Sequence, residues 1–268
     1  MKKNSYSKFN LNDKTALVIG GSGYLGFEMS KALLLNGAKV IVASRKKDSY
    51  NKKFEKIKTK LNIKNRINFL KLDITKTKSI NLFYKHLKKK SDNKIDILIN
   101  CAWRGKKNTL ESISNKDWDH DIKVSFSSTF KITKKLLPLL KLSKGKIINI
   151  ASIYGHVAPN YKIYSNKNLS NPPSYGAAKA GIIQLTKYLA SYLSPYGINA
   201  NCISPGAFPF PETIKKYPKF IKELKKKSVL GRIGQPKDLA GIIILLCSDA
   251  GNYINGQNIC VDGGWAIR

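Results

Sequence analysis

Tyr175 and Lys179 stand four residues apart in a stretch whose apolar spacing predicts a helix, so both side chains are expected on one face. A free phenol titrates near pH ~10, and a neighbouring ammonium favours the phenolate and lowers that pKa. Tyr175 could then exchange a proton near neutrality. The pair alone is weak evidence, because such a spacing is also common for a half-buried ring beside a solvated amine. Ser152, upstream of the pair, adds a hydroxyl after a predicted strand.

An N-terminal glycine turn is the second chemical feature. The apolar run Thr15–Ile19 predicts a buried strand, and the turn that follows leads directly into an apolar-periodic helix. Strand, glycine turn and helix in this order favour dinucleotide binding over an ordinary flexible turn, because the helix N-terminus faces a pyrophosphate. The predicted phosphate-binding residues are Gly20, Ser22, Gly23, Tyr24, Leu25 and Gly26.

The second predicted strand, Lys39–Ala43, ends in Ser44 and Arg45, where a carboxylate would otherwise receive the ribose hydroxyls of the cofactor. An arginine here can accommodate a 2′-phosphate, so the sequence favours NADP(H) over NAD(H). The alternative is a solvated basic loop in a lysine-rich chain.

Together these motifs resemble the short-chain dehydrogenase/reductase family over nearly the whole chain. The matching pieces, in order, are Gly20–Gly26, Asp73, Asn100 to Ala102, Ser152, Tyr175 with Lys179, Pro205 with Gly206, and the stretch from Gly256 to Gly264. The resemblance implies that Tyr175 is the acid/base, that Ser152 orients the substrate oxygen and that Lys179 holds the nicotinamide ribose. It also implies that Asp73 with Ile74 lies at the adenine and that Asn100, Ala102, Pro205 and Gly206 contribute to the cofactor cleft.

The chain departs from the family pattern at several positions. Tyr24 replaces the glycine that is commonest in the turn, and Trp103 replaces a glycine beside the cleft. Ser125 stands where the family carries an asparagine that supports a water-linked proton path, which puts that path in doubt. Phe210 stands where many relatives have a threonine that bonds the nicotinamide carboxamide. The segment between Ser152 and Tyr175 is longer than usual.

Alternating strand and helix patterns predict one α/β domain over residues 1–268, with a doubly wound, Rossmann-like parallel sheet and helices on both faces. Met1–Asp13 lacks the apolar core of a signal peptide, and the longest apolar stretch, Leu239–Cys247, is too short to span a bilayer. We therefore expect a cytoplasmic protein. From the resemblance, we expect a homodimer or homotetramer that pairs through the long helices after the fourth and fifth strands.

A net charge of +33 is extreme for a metabolic enzyme, yet only five of the 49 basic residues are arginine and the lysines are spread along the chain. This pattern favours compositional bias over a nucleic-acid surface, although the charge should draw anions to the cleft. Cys101, Cys202, Cys247 and Cys260 lack metal-ligand spacing, so we expect reduced core residues and no metal. Cys101 lies beside the cleft and could be reactive, but a packing role is favoured. His156 could reach the pocket, but a loop histidine that bonds to water is favoured.

The segment 155–173 is predicted to be an insertion that binds substrate. It and its flanks carry Tyr154, Tyr161 and Tyr164 with Asn160, Asn166, Asn168 and Asn171, and Trp103 and Arg104 should face the same cleft. Rings and amides suit a polyhydroxylated ligand, although the insertion could be only a polar surface loop. The segment resembles family members of bacterial surface-glycan and flagellin-sugar biosynthesis, and also gluconate-type dehydrogenases. The resemblance thus implies an alcohol/ketone oxidoreductase acting on a sugar, sugar acid, sugar phosphate or nucleotide-linked sugar. The alternative is a catalytically impaired protein of this fold that binds dinucleotides or nucleic acid.

Overall fold

The computed structural model describes residues 8–60, 63–164 and 169–267, so Asn166 and Asn168 lie outside the described residues. Within these ranges one parallel sheet runs in the order β3-β2-β1-β4-β5-β6-β7. Its strands are β1 Thr15–Ile19, β2 Lys39–Ser44, β3 Ile67–Lys71, β4 Ile97–Asn100, β5 Lys146–Ile150, β6 Asn199–Pro205 and β7 Asn258–Val261. This order confirms the predicted doubly wound sheet.

Helices connect successive strands. They are α1 Tyr24–Leu35, α2 Lys47–Lys60, α3 Thr77–Lys90, α4 Asn115–Ile122, α5 Ser128–Ser143, α6 Pro173–Leu193, α7 Pro211–Lys216, α8 Pro218–Lys227 and α9 Ala240–Cys247. A single π-helical turn, Lys123–Ser127, joins α4 to α5. Among the described residues, no helix is both long enough and apolar enough to cross a membrane.

The central strands β1, β4 and β5 are buried along their whole length, which explains why they read as nearly continuous apolar runs. In β1, Ala16 and Val18 pack into one hydrophobic core, and Leu17 and Ile19 pack into the other. Side chains alternate across a strand, so a five-residue apolar run can serve both layers. The central strands are thereby fixed between two helical layers, and their carboxyl ends become rigid supports.

The strand order reverses between β1 and β4, which is where a doubly wound sheet opens a crevice at the carboxyl ends of its strands. The described part of segment 155–173 lies beside this crevice. Ile163 and Tyr164 pack with Phe220 and Leu224 of α8 and with Trp265 in a separate hydrophobic cluster. The insertion is therefore anchored by apolar contacts, which a freely solvated polar loop would not make.

Candidate active site

A cavity of about 610 Å³ lies at the carboxyl ends of the central strands. Most of the residues predicted for the cofactor and the substrate line it together. They are Gly20, Ser22, Gly23, Tyr24, Leu25, Gly26, Ser44, Arg45, Asp73, Ile74, Ala102, Trp103, Arg104, Ser152, Tyr154, Tyr164, Tyr175, Lys179, Pro205 and Gly206. Asn100, Ser125 and Tyr161 are not part of this lining.

The glycine turn after β1 leaves room for an anion. Gly20 has φ +80°, and a Cβ on Gly26 would lie 2.3 Å from the carbonyl oxygen of Gly20, so neither position accepts a side chain without rearrangement. Gly23 precedes α1 without a side-chain cap, and the first turn of α1 carries no acidic residue. Its N–H groups are thus available to a pyrophosphate, and the residues present fit a dinucleotide.

The far end of the cavity combines one carboxylate with basic side chains. Asp73 accepts hydrogen bonds from the backbone N–H of Thr75 at 3.0 Å and from its Oγ1 at 2.6 Å. Burial raises the pKa of Asp73, but these bonds and the charges of Lys76 and Arg45 outweigh it, and the net pKa is lowered. Asp73 is therefore ionised and has its hydrogen-bond partners close by in the chain, while Arg45 is exposed directly after β2.

Ser152, Tyr175 and Lys179 meet at the centre of the cavity. Ser152 follows β5, and its hydroxyl is hydrogen-bonded to the phenol of Tyr175. The ammonium of Lys179 lies 5.7 Å from the centre of the Tyr175 ring and donates to the carbonyl of Ile150 at 2.6 Å. The indole of Trp103 meets the Tyr175 ring edge-on, with 5.3 Å between ring centres. A hydroxyl pair and an ammonium are thus held together in a buried setting.

Burial changes the acid–base properties of this group in a way that helical spacing did not predict. It raises the pKa of Tyr175 above its ordinary value, and the hydrogen bond from Ser152 only partly opposes the rise. Burial also lowers the pKa of Lys179 to about 8. The prediction that Lys179 brings the phenol pKa down is therefore wrong for the protein alone, because desolvation of the phenolate raises that pKa and Lys179 is not among the groups that oppose the rise.

Asn100 and Ser125 lie behind the cavity wall. Asn100 donates to Thr133 at 3.1 Å and to Asn149 at 2.8 Å, so its amide ties β4 to β5 and α5. Ser125 lies in the π-helical turn and is only 2% exposed, and its Oγ has no hydrogen-bond partner among the described residues. The carbonyl of Ser125 accepts from Thr129 Oγ1 at 3.1 Å. These residues shape the wall from behind.

Two tyrosines lie at the end of the cavity that the sequence predicts to bind substrate. The hydroxyls of Tyr154 and Tyr164 are 2.7 Å apart, and the Tyr164 ring packs against Phe220 with 5.3 Å between centres. Burial raises the pKa of both phenols, so both stay protonated. Tyr161 is 54% exposed and packs on Tyr164 from outside the cavity lining. The structure thus brings two of the three predicted tyrosines together with Ser152.

Two further residues of the site escaped the sequence analysis. Lys107 lines the cavity and donates to Asn171 Oδ1 across it. Asp121 is 2% exposed, and its Oδ2 accepts from the buried Ser174 hydroxyl at 2.7 Å, next to Tyr175. Burial raises the pKa of Asp121. The only sequence signal for it was a polar residue one helical turn before Ser125.

The cysteines fit the core prediction only in part. Burial raises the pKa of Cys101 to about 11, which disfavours a reactive thiolate beside the cleft. Cys260 is exposed, contrary to prediction, because its β7 position faces outward, and its Sγ lies 3.4 Å from His156 Nε2. His156 does not line the cavity, whereas His120 does. Among the described residues, no group of three or more His, Cys, Asp or Glu could hold a metal ion.

Comparisons with known proteins agree with this arrangement. The family model described as "Enoyl-(Acyl carrier protein) reductase" matches residues 22–266. The 3-oxoacyl-acyl-carrier-protein reductase FabG of Thermotoga maritima is 29% identical over 96% of this chain and 99% of its own length. The NAD-dependent glycerol dehydrogenase of Listeria innocua is 30% identical over 97% of this chain and 96% of its own.

A solved structure gives the same result in three dimensions. The Pseudomonas aeruginosa RhlG/NADP active-site complex superposes with a TM-score of 0.86 at 29% identity, covering 97% of this chain and 98% of that one. The match extends over nearly all of both chains, so it includes the crevice as well as the sheet.

Proposed function

This chain belongs to the short-chain dehydrogenase/reductase family, and we propose that it interconverts a secondary alcohol and a ketone on a sugar-type substrate, with NADP(H) preferred. Membership in the family makes the chain an oxidoreductase that uses a nicotinamide dinucleotide for alcohol/carbonyl chemistry. The proposed substrate is a sugar, sugar acid, sugar phosphate or nucleotide-linked sugar of surface-glycan biosynthesis. The proposed location is the cytoplasm.

The meeting of Ser152, Tyr175 and Lys179 supports the proposed chemistry. In the reductive direction the bound cofactor would supply the hydride that forms the new C–H bond. The Ser152 and Tyr175 hydroxyls would hold the carbonyl oxygen, and the Tyr175 O–H would break to protonate it. A raised phenol pKa keeps that proton on Tyr175 until charge develops on the substrate oxygen. The Lys179 ammonium, oriented by Ile150, would hold the nicotinamide ribose.

The observation that carries the sugar assignment is the hydroxyl pair of Tyr154 and Tyr164 facing the same cavity as Ser152. Two protonated phenols, with an amide at Asn171 and a cation at Arg104, offer several hydrogen bonds to a ligand with many hydroxyls. The phenol pair uses one of its two O–H groups internally, so a wholly apolar ligand would leave the other O–H unpaired, at a cost of about 1–3 kcal/mol.

An acyl substrate is the second candidate. Phe220, Leu224 and Trp265 also line the cavity and could contact a hydrocarbon chain. A panel of sugars, sugar acids, sugar phosphates, nucleotide-linked sugars, 3-oxoacyl thioesters and hydrophobic ketones, assayed with both cofactors, separates the two. Turnover of polyhydroxylated compounds supports the sugar assignment. Exclusive turnover of thioesters or hydrophobic ketones would replace it. If no compound turns over and duplex DNA binds with a steep salt dependence, the protein acts as a binding module.

A matched pair of tyrosine variants tests the role of the insertion. Tyr164→Phe removes one hydroxyl from the cavity but keeps the ring packed on Phe220. KM for the sugar should therefore rise about tenfold or more, while NADPH affinity persists. Tyr161→Phe removes a phenol outside the lining and should change KM by less than about twofold. Equal effects of the two changes would show that the insertion does not select the substrate.

We also propose a homodimer or homotetramer. The long helices α5 and α6 expose apolar and aromatic side chains on their outer surfaces, including Phe130, Leu142, Tyr188 and Tyr192. Tyr188 and Tyr192 stack with 5.6 Å between ring centres, which gives a flat apolar patch suited to a partner. Light scattering at micromolar concentration should give a multiple of 30.0 kDa, whereas a mass near 30.0 kDa would refute the assembly.

A further inference from the structure

Lys107 and Asn171 form a bridge between two loops at the substrate end of the cavity. Lys107 belongs to the segment after β4 that also carries Trp103 and Arg104, and Asn171 closes the insertion before α6. Both residues line the cavity, and the Lys107 ammonium donates to Asn171 Oδ1. An ammonium has three donors, so two remain for a ligand after this bond. The bridge thus aims a cation at the cavity and fixes its position.

The charges around this bridge are unbalanced. Neither Lys107 nor Arg104 makes an ion pair among the described residues, whereas the adjacent Lys106 pairs with Asp117 at 2.8 Å. Of the described residues that line the cavity, the only carboxylate is Asp73, and that group lies at the adenine end. The substrate end therefore presents cations whose counter-charge the protein does not provide.

Lys107 is also partly desolvated. The residue as a whole is exposed, but protein atoms crowd its ammonium enough to lower the pKa of Lys107 to about 8. Its one partner is a neutral amide, which compensates poorly for lost water. A bound anion would stabilise the charged form through a charge-assisted hydrogen bond, about twice as strong as a neutral one. Arg104 supports the same site with a planar guanidinium that can bind a carboxylate or a phosphate through two hydrogen bonds.

We propose that Lys107, held by Asn171 and assisted by Arg104, recognises a negatively charged group on the substrate, so that the sugar-type substrate carries a carboxylate or a phosphate. This inference rests on the proposed function and narrows it from polyhydroxylated ligands in general to anionic ones. The insertion takes part in recognition because it supplies Asn171. Lys107 is then a specificity-determining residue and has no part in the proton transfer at Tyr175.

Three compounds with a common six-carbon polyol chain test this proposal, assayed in the oxidative direction. Gluconate carries a carboxylate, sorbitol 6-phosphate carries a phosphate, and sorbitol is neutral. The parent enzyme should show kcat/KM at least about tenfold higher for one of the anions than for sorbitol, and that anion identifies the group recognised. Similar kcat/KM for all three compounds would overturn the proposal.

Lys107→Met keeps the length and apolar stem of the side chain but removes the charge. It should raise KM for the preferred anion about tenfold or more, with kcat and the sorbitol kinetics within about twofold of the parent. Asn171→Ala should give a smaller rise in KM, because the cation remains but loses its orientation. Lys106→Met, whose lysine pairs with Asp117 outside the cavity lining, is the matched control and should change nothing.

Two further outcomes would contradict the anion site. The first is an equal loss on all three compounds in Lys107→Met at an unchanged Tm. The second applies if none of the compounds turns over, a result that would by itself count against the proposed function. Calorimetric titration with gluconate and with sorbitol 6-phosphate would then compare the parent with Lys107→Met. Weaker binding in the variant supports the anion site, and equal or absent binding in both proteins refutes it.

Discussion

The two halves of the cavity are built differently. The cofactor half, comprising residues 20–26, 44–45 and 73–74, sits directly on strand ends and on the first turn of α1. The half predicted to bind substrate, called the substrate half, sits on long loops and comprises Trp103, Arg104, Lys107, Tyr154, Tyr164 and Asn171. Side-chain contacts between residues far apart in sequence hold these loops, such as Lys107 with Asn171 and Tyr164 with Phe220. Backbone geometry therefore fixes the first half, and individual side chains fix the second.

This difference has a functional consequence. A substitution in the cofactor half meets backbone that the sheet holds in place. A Cβ added at Gly26, for example, would lie 2.3 Å from the carbonyl oxygen of Gly20. A change in the substrate half alters one contact and leaves the strands untouched. One fold can therefore serve different substrates through changes in such loops, and similar proteins are named as a 3-oxoacyl-acyl-carrier-protein reductase and a glycerol dehydrogenase.

Tyr175 lies where the two halves meet, so its loss should have the largest effect. Tyr175→Phe keeps the ring against Trp103 but removes the transferable proton, and kcat should fall about 10²-fold or more. NADPH affinity and Tm should stay near the parent values, because the ring and its contact with Trp103 are retained. Turnover within a few-fold of the parent would remove Tyr175 from the mechanism.

The sequence predicts the cofactor half of the site better than the substrate half. The glycine turn, Ser44 with Arg45, and Asp73 could be placed because each directly follows a strand, and parallel strands bring their carboxyl ends together. Lys107 could not be predicted, since its partner Asn171 is 64 positions away on another loop. The direction of the Tyr175 pKa was missed for a related reason. The pKa of Tyr175 is set mainly by desolvation, which depends on all the residues packed around the phenol, whereas the helical spacing describes only its relation to Lys179.

The second prediction concerns the thermal stability of the region next to Tyr175, where Ser174 and Asp121 form a buried hydrogen bond. Ser174→Ala removes the hydroxyl that donates to the buried Asp121 carboxylate, at a cost of about 1–3 kcal/mol. The pKa of Asp121 is already raised by burial and should rise further without this donor. A group whose folded pKa is raised loses stability as pH rises through that pKa. The Tm deficit of Ser174→Ala should therefore be larger at about pH 8 than at about pH 5.

The double variant Asp121→Asn/Ser174→Ala is the control for this prediction. It removes the titrating group, so its Tm difference from the single variant Asp121→Asn should no longer depend on pH. A pH-independent deficit in Ser174→Ala alone would show that Asp121 does not change its protonation state between about pH 5 and about pH 8 in the folded protein. In either case NADPH affinity should change little, because neither residue lies in the cofactor half.

Replacing Arg45 tests the cofactor half alone, through the preference for NADPH over NADH. The parent should have a higher kcat/KM with NADPH than with NADH, and Arg45→Ala should lower that preference about tenfold, because the charge that would meet the 2′-phosphate is gone. Sugar KM should be unaffected. Lys47→Ala, an exposed neighbour outside the cavity lining, is the matched control. Equal or better efficiency with NADH in the parent would refute the assignment of Arg45.

Ser125 should give the smallest effect, because its hydroxyl faces neither half of the cavity. Ser125 Oγ is buried and has no partner among the described residues, so it contributes no hydrogen bond that a variant could lose. Ser125→Ala should leave kcat within about twofold of the parent, and Ser125→Asn should be neutral or mildly activating. Both rates are measured at saturating substrate and cofactor, with Tm as the check on folding. A large fall in kcat at an unchanged Tm would show that Ser125 acts in proton transfer despite standing behind the wall.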